Sequence, residues 1–444
     1  SLLMVPSTYE AGKLYNVLPS GNRAPDNKGG AGYDQTRADF DFDRGSNAAA
    51  TRIGSDGLLK KYQENLLLQS NQFDTTWTNS NTTETSGQSG YDGSSDAWLL
   101  EKSAAFGLIY QSVSISNVTT CSIYAKAGTL NWLRLRVGTS PENSRYFDLS
   151  NGVIGTGGTA PVDATITSIG NGWYRCSVTS NISINAIYIY PADSDNDASG
   201  TSGNILIQSA QLETGLVATD YLNSISVTAK AGVLIDLPRI NYDANGENGA
   251  LLLEPSRQQL ITQSEYFGSS DWTLNNVSIT SNATTSPEGV INASKWIANS
   301  GLSSKNIYQV PSTANGVAHT ASAYFKAEEY PLAFIRLGGV GGSPYVIYDL
   351  RDESVVSTSG LTSHDIQSVG NGWYRIEATA TTTTTLIAPN YAFLPASGYT
   401  LNSNNIPEYT GDGTSGGYIY GAQAEPNATY ATSYIPNHGE SGGV

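Results

Sequence analysis

At 444 residues the chain is long for one hydrophobic core, and charged residues make up only 14% of it while Gly (46) and Tyr (27) are abundant. That is the profile of a turn-rich β protein and not of a helical one. A net charge of -16, from 23 basic and 39 acidic residues, excludes nucleic acid and an anionic membrane as the main partner.

Taken in order, the first residues, Ser1 to Pro6, lack the charged start of a secretory signal, and no apolar run approaches the length of a membrane span. Residues 1–62 carry too few apolar side chains to fold alone. They hold a Gly/Pro/Asn-rich passage from Pro19 to Gly32, an alternating strand-like run with Phe40 and Phe42 between aspartates, and a turn at Ser55-Asp56-Gly57. This segment reads as an extended N-terminal arm lying on something else.

From there the chain says the same thing twice. Gly170-Asn171-Gly172-Trp173-Tyr174-Arg175 returns unchanged as Gly370-Asn371-Gly372-Trp373-Tyr374-Arg375. An Asn-Gly step favours the positive φ of a tight turn, and the run after it alternates as a strand does. Each Trp is expected in the interface between two sheets, with the Arg two residues on seeking a carboxylate or carbonyl near the rim. Around these copies other landmarks align: Phe73 and Trp77 with Phe267 and Trp272, Trp98 with Trp296, Tyr124 and Lys126 with Tyr324 and Lys326. Both copies close alike, on Gln211 and Glu213 before Ala218-Thr219-x-Tyr221, and on Gln423 and Glu425 before Ala431-Thr432-x-Tyr434.

Strand-length runs such as 122–127, 132–137, 186–190 and 205–210 lie between Gly/Ser/Asn/Asp turns, with no helix longer than a turn or two. The fold class is all-β: two tandem antiparallel jelly-roll β-sandwich modules of eight to ten strands, over about 63–224 and 258–444, with the arm before them. The connector, 225–257, holds Leu237-Pro238-Arg239-Ile240-Asn241-Tyr242 and Leu251-Leu252-Leu253-Glu254-Pro255 and is too apolar for a flexible linker. It is expected to pair with the arm, which would bring Asn65 and Asn223 together.

The run from Asp39 to Ser46 with Thr51-Arg52, the two connector motifs, the doubled hexapeptide and the closing Ala-Gln-x-Glu with Ala-Thr-x-Tyr resemble modules of bacteriophage virion proteins, chiefly tail-fibre, tail-spike and head-fibre-like proteins of phages from aquatic bacteria. The resemblance implies a lectin-like or carbohydrate-binding-module-like jelly roll carried on a particle assembled in the host cytoplasm. It implies other virion proteins as partners, a homo-oligomer with a trimer favoured, and a host surface glycan as ligand. In this chain a whole module stands between Gly57-Leu58-Leu59 and Leu237-Pro238-Arg239, where the usual layout has none.

No residue set supports catalysis. His319, His364 and His438 lie in no triad-like or metal-binding spacing, and Gly413-Thr414-Ser415-Gly416-Gly417 has the letters of a nucleophile elbow without the strand-to-helix turn the elbow needs. Asp193, Asp195 and Asp197 read as a solvated acidic turn, since Asn204 stands where a calcium loop wants a bidentate Glu. No cofactor is implied, and a structural calcium in either sandwich stays open. Cys121 and Cys176 are replaced together, by Ala321 and Ile376, which marks them as reduced core neighbours. Sugar recognition needs an exposed aromatic face with polar side chains beside it. Six of the seven tryptophans fall into matched pairs, as structural residues do; Trp132, opposite Leu332, is the unpaired one and the first candidate platform. Tyr91, Tyr399 and Tyr409, in polar loops, follow it. The leading expectation is a non-enzymatic virion component displaying glycan-binding modules; a purely structural fibre or decoration protein and a glycan-degrading spike are the rivals.

Overall fold

The computed structural model describes residues 50–234 and 237–439, together with the backbone of a two-residue ladder joining Lys13–Leu14 to Phe40–Asp41. Phe42 and most of the expected arm lie outside the described residues. The described residues contain no helix, and every strand pair among them is antiparallel.

Each module is a sandwich of two six-stranded sheets. In the first, one sheet runs edge to edge through Asp163–Gly170, Trp173–Ser180, Thr119–Ala127, Gly203–Thr214, Ala97–Lys102 and Thr82–Gln88. The other runs through Val153–Ile154, Asn143–Asp148, Trp132–Val137, Ile184–Ala192, Leu108–Ile115 and Thr78–Ser80. The second module repeats this strand by strand, with Trp373–Thr381 beside Ala318–Ala327 in one sheet and Leu332–Gly338 between Tyr345–Asp349 and Ala388–Leu394 in the other. The strand count exceeds the sequence expectation because short edge strands such as Val153–Ile154 and Thr78–Ser80 carry too few residues to show a period.

Alternation sets which side chains meet between the sheets. Along Trp132–Val137 the residues Leu133, Leu135 and Val137 are fully buried in the core, so Trp132, Arg134 and Arg136 point the other way. The cysteines are diagonal neighbours on the core side of adjacent strands, Cys121 opposite Val178 and Cys176 opposite Ile123, both buried and both free thiols. In the second module Ile123 opposite Cys176 becomes Ala323 opposite Ile376. Large and small have exchanged strands, which holds the volume of that layer nearly constant.

The repeated hexapeptide begins as a turn with all three residues at positive φ: Gly170, Asn171 and Gly172 at 98°, 52° and 77°, and their counterparts at 86°, 54° and 76°. The tryptophans after it are buried, but not in the interface between the sheets. Tyr174 and Cys176 face the core, so Trp173 and Arg175 lie on the outer face of the sheet, where Trp173 packs with Tyr124 and Ala97 under Tyr91. Trp373 packs on the matching face with Tyr324, Tyr420, Tyr434 and Leu59. The alternation was legible in the sequence; which of the two faces looks inward was not. Arg175 donates to the Thr219 carbonyl and lies over the Tyr124 ring, the carbonyl partner its position called for.

The closing motifs are clamps for a returning backbone. The Glu213 carboxylate accepts from the Thr219 N–H and hydroxyl and from the Gln211 carboxamide, whose oxygen accepts from the Leu222 N–H. Glu425 accepts from the N–H and hydroxyl of Thr432, and Gln423 from the Ile435 N–H. A second carboxamide ties the start of each module to its end. Buried Asn65 donates to the carbonyls of Ala210 and Leu222 and accepts from the N–H groups of Leu67 and Leu212. Gln259 does the same for Ala422, Ile435, Ile261 and Ala424.

These bonds place the first module's two ends side by side. Tyr62–Asn65 also pairs with Ala229–Gly232 of the connector. The hairpin of Arg52–Ile53 and Leu59–Lys60 interlocks with the connector: Tyr242 N–H donates to the Ile53 carbonyl, Ile53 N–H to the Asn241 side chain, and Arg239 to the Thr51 carbonyl. The two chains approach so closely that a Cβ at Gly57 would lie 2.4 Å from the Ala244 carbonyl oxygen, with Gly57 at φ 73°.

Replacing Asn65 by Ala leaves four buried backbone groups without their partner, so urea denaturation should show the first module weakened by about 3 kcal/mol or more. Gln259→Ala should do the same to the second module. A loss below about 1 kcal/mol in both variants would show that the carboxamides do not tie the module ends.

Candidate functional site

The outward row of Trp132–Val137 begins the candidate site. Across the strands Trp132 stands between Asp148 and Ala192, Arg134 between Tyr146 and Tyr190, and Arg136 between Ser144 and Tyr188; Tyr188 in turn faces Tyr110. Arg134 sits over the rings of Tyr146 and Tyr190, at 5.5 and 5.1 Å, and Arg136 over Tyr188 at 4.7 Å. Glu142 holds both guanidiniums, at 2.8 Å from Arg134 and 2.5 Å from Arg136. The Tyr188 hydroxyl bonds Thr139, which donates to Asn185. Packing of this kind fixes long side chains at little further entropic cost. Trp132, half-buried, lies beside Gly155 and Asp195 and packs against the cluster of Tyr146, Tyr190, Ala192 and Ala198.

The duplicate gives this face its meaning. Position for position, Trp132, Arg134 and Arg136 become Leu332, Phe334 and Arg336, and Tyr146 and Tyr190 become Ile347 and Ala392. In the second module these side chains are sealed: Leu332 and Ala392 are 1% exposed, Phe334 and Ile347 not at all. The cover is a three-stranded sheet of Gly301–Ser304, Pro407–Gly411 and Thr400–Leu401, most of it from the long connection 395–415. The first module has only 193–202 there. There Ala198 packs on buried Tyr146 and Tyr190, and Trp132, Arg134 and Arg136 stay half-buried, whereas the second module keeps only Arg336 of the three and buries it.

Of the tyrosines expected as platforms, Tyr409 is buried and Tyr91 and Tyr399 are half-buried. Tyr409 is 1% exposed and donates its hydroxyl to the Phe393 carbonyl; it belongs to the sealing sheet, which corrects the expectation from its polar loop. Tyr399 packs half-buried beneath the same sheet, beside Tyr345. Tyr91 stacks on Tyr124 at 4.0 Å and covers Trp173. Loop composition could not reveal this, because each of these loops folds back over its own sheet. Arg134, Arg136 and Tyr188 were missed by the sequence reading, although the i, i+2 spacing of Trp132, Arg134 and Arg136 in a recognised strand was the available signal.

Other chemistry-bearing residues have structural partners. Asp193 bonds Lys102 at 2.7 Å and the Gly200 N–H, Asp195 caps Thr156, and Asp197 caps Ser199. Ser415 belongs to a turn closed by Asp412. His319 bonds Thr313 and Val317, and His364 bonds the Tyr348 hydroxyl. No group of three or more His, Cys, Asp or Glu among the described residues could hold a metal ion.

A second candidate lies between the modules, in a cavity of about 210 Å³ lined by Lys61, Glu213, Glu265, Glu288, Asn292 and His438 among others. Lys61, from the end of the hairpin, places its ammonium 2.8 Å from Glu265 and 2.6 Å from Glu288. Glu265 also accepts from the hydroxyls of Tyr420 and Tyr434. Burial works against ionising Glu265, but Lys61 and His438 hold its carboxyl below the usual range. Burial pushes Glu288 up to about 7 against the pull of Lys61. Two carboxylates sharing one ammonium, with their lone pairs taken by tyrosines and Asn292, form a lock that fastens the hairpin to the second module. The carboxylates are already committed to these partners, and a free pair facing a bond across a groove is what glycoside hydrolysis needs.

No family model matches the sequence, and no curated protein matches it. Among solved structures, the tandem CBM51 modules of a family 98 glycoside hydrolase from Streptococcus pneumoniae align with 74% of this chain and 84% of that one, at 10% identity and a TM-score of 0.17. A Paenibacillus cycloisomaltooligosaccharide glucanotransferase in complex with cycloisomaltoheptaose aligns with 77% of this chain and 47% of that one, at 11% identity and a TM-score of 0.20. Superpositions this partial carry no argument for the site.

Glu288 provides a pH test of the lock. Its folded pKa lies above the unfolded value of 4.5, so the folded state retains a proton that the unfolded state releases, and stability falls as pH rises from about 4.5 to about 7 and is level above that. Chemical denaturation should show that decline, on the order of 3 kcal/mol at most, in the wild type. Glu288→Gln, neutral throughout, should lack it. An equal decline in the variant would remove Glu288 from the lock.

Proposed function

We propose that this chain is a non-enzymatic surface component of a virus particle, a fibre or decoration protein, whose first module binds host glycan on the outer face of the Trp132 sheet. The observation that carries the proposal is the contrast between the modules: where one copy has fully buried Leu332 and Phe334, the other has half-buried Trp132 and Arg134 beside buried Tyr146 and Tyr190. The half-exposed part of the Trp132 indole would take the apolar face of a pyranose. Asp148 and Asp195 beside it, and Thr139 and Asn185 at the far end of the row, offer partners to hydroxyls. From Trp132 to Arg136 the row spans roughly 13 Å, the rise of four strand residues. The virion setting rests on the shared motifs of arm, connector and module ends. In a symmetric assembly, a trimer being favoured, weak single sites add up through avidity without new contacts.

Binding would proceed without turnover. The rival reading, a structural protein that holds no sugar, draws on the six paired tryptophans, every one of them buried. Glycan-array binding of the full chain separates the two. Retention on a defined glycan should weaken roughly tenfold or more in Trp132→Ala, with circular dichroism unchanged because the indole lies outside the core between the sheets and packs only on the outer cluster of Tyr146 and Tyr190. A chain that retains no glycan, or a Trp132→Ala variant that retains it equally well, would favour the structural reading.

A further inference from the structure

A third cavity, of about 200 Å³, lies where the hairpin, the connector and the second module meet. Its floor is Arg375 over the Tyr324 ring, at 5.5 Å; its walls come from Ile53 and Leu59 on one side and Tyr242 and Asp243 on the other. The interlocked hairpin and connector hold these walls in place, so the cavity is formed before anything enters it.

The charged groups around it are occupied, with one exception. Glu254 accepts from Arg239 and from the N–H and hydroxyl of Ser433. Asp243 accepts from the N–H groups of Asn245 and Glu247 and from Asn248. Arg52 donates to the Ile240 carbonyl. Arg375 has only the Ser322 hydroxyl as a hydrogen-bond acceptor, at 3.2 Å, and its Nε, like that of Arg175, is buried without an acceptor.

In the first module Arg175 makes the same bond to Ser122 and, in addition, donates to the Thr219 carbonyl. The second module's corresponding segment is held elsewhere, because Glu377, at the position of Ser177, accepts from the Ala431 N–H at 2.8 Å. Glu377 also lies near Arg375, but burial pushes its carboxyl up and weakens it as a counter-charge. The acceptor that Arg175 finds in its own backbone is thus missing from Arg375, and a cavity stands in its place.

We infer that this cavity binds a small hydroxylated carboxylate, of the sugar-acid class, with the carboxylate on the Arg375 guanidinium. A guanidinium fork with a vacant edge takes a planar carboxylate in preference to a neutral oxygen. Gln367, Ser368 and Tyr242 also line the space, and their side chains make no hydrogen bond to another described residue, so they are available to ligand hydroxyls. The volume is below the roughly 300 Å³ at which drug-sized sites begin, and suits a single sugar residue. This site is separate from the Trp132 face and does not depend on it.

The test is calorimetric titration of the full chain with D-glucuronate, D-glucose and acetate. Saturable binding of glucuronate, weaker by at least about tenfold for glucose and acetate, is expected. Arg375→Gln should lower glucuronate affinity by at least about tenfold, while Arg175→Gln leaves it unchanged. If Arg375→Gln fails to fold, Gln367→Glu at the exposed mouth, opposite Arg375 on the next strand, should occupy the guanidinium and give a comparable loss with the thermal midpoint preserved. Absence of saturable glucuronate binding, equal binding of acetate, or undiminished binding in the folded variants would each overturn the inference.

Discussion

A sandwich whose chain leaves and re-enters at one corner must bury backbone N–H and carbonyl groups there, with no ladder to pair them. This protein meets that constraint with carboxamides. Asn65 and Gln259 each bond four backbone groups, two carbonyls and two N–H groups, from both ends of a module. The Gln and Glu of the closing motifs take up the N–H groups of the returning segment. With the ends fixed in this way, one module can be set into a hairpin-and-connector unit as an insertion without straining either.

Around that common corner the two copies have diverged according to what covers them. The outer face beside the Trp-Tyr-Arg strand is capped by Tyr91 in the first module and by the hairpin, through Leu59, in the second. The opposite outer face meets extra strands in the second module, and in the first the shorter segment around Ala198, which leaves Trp132, Arg134 and Arg136 half-buried. Composition differs with the cover: Phe334 and Ile347 lie fully buried under the extra strands, while half-buried Arg134 stands over a buried Tyr146. A guanidinium is tolerated at such a position only with its charge paired and its edge hydrated or bonded, which Glu142 and the two ring faces supply.

The same logic applies at the junctions. Lys61 reaches into the second module between Glu265 and Glu288 and meets carboxylates there, while Arg375 meets a cavity. Buried ion groups of this kind are weak evidence for stability taken alone, since desolvation offsets most of the Coulomb gain. Their use here is to fix where the hairpin sits, because any other placement would leave a buried charge without its partner.

Duplication, all-β class and the location of several core strands were legible in the sequence, because they follow from local properties: the positive φ demanded by Gly-Asn-Gly, the period of two along Trp132–Val137, and motifs that recur in the same order in both halves. The joint replacement of Cys121 and Cys176 likewise carried their adjacency, since neighbours in a core compensate each other's volume. Which face of a strand looks inward could not be read, and so Trp173 and Trp373 were placed between the sheets when they lie outside them. Nor could loop composition say that the connection carrying Tyr399 and Tyr409 folds back as a lid. The period of a strand is a property of its own backbone, whereas exposure belongs to whatever packs against it, and in this chain those covers arrive from segments tens to hundreds of residues away.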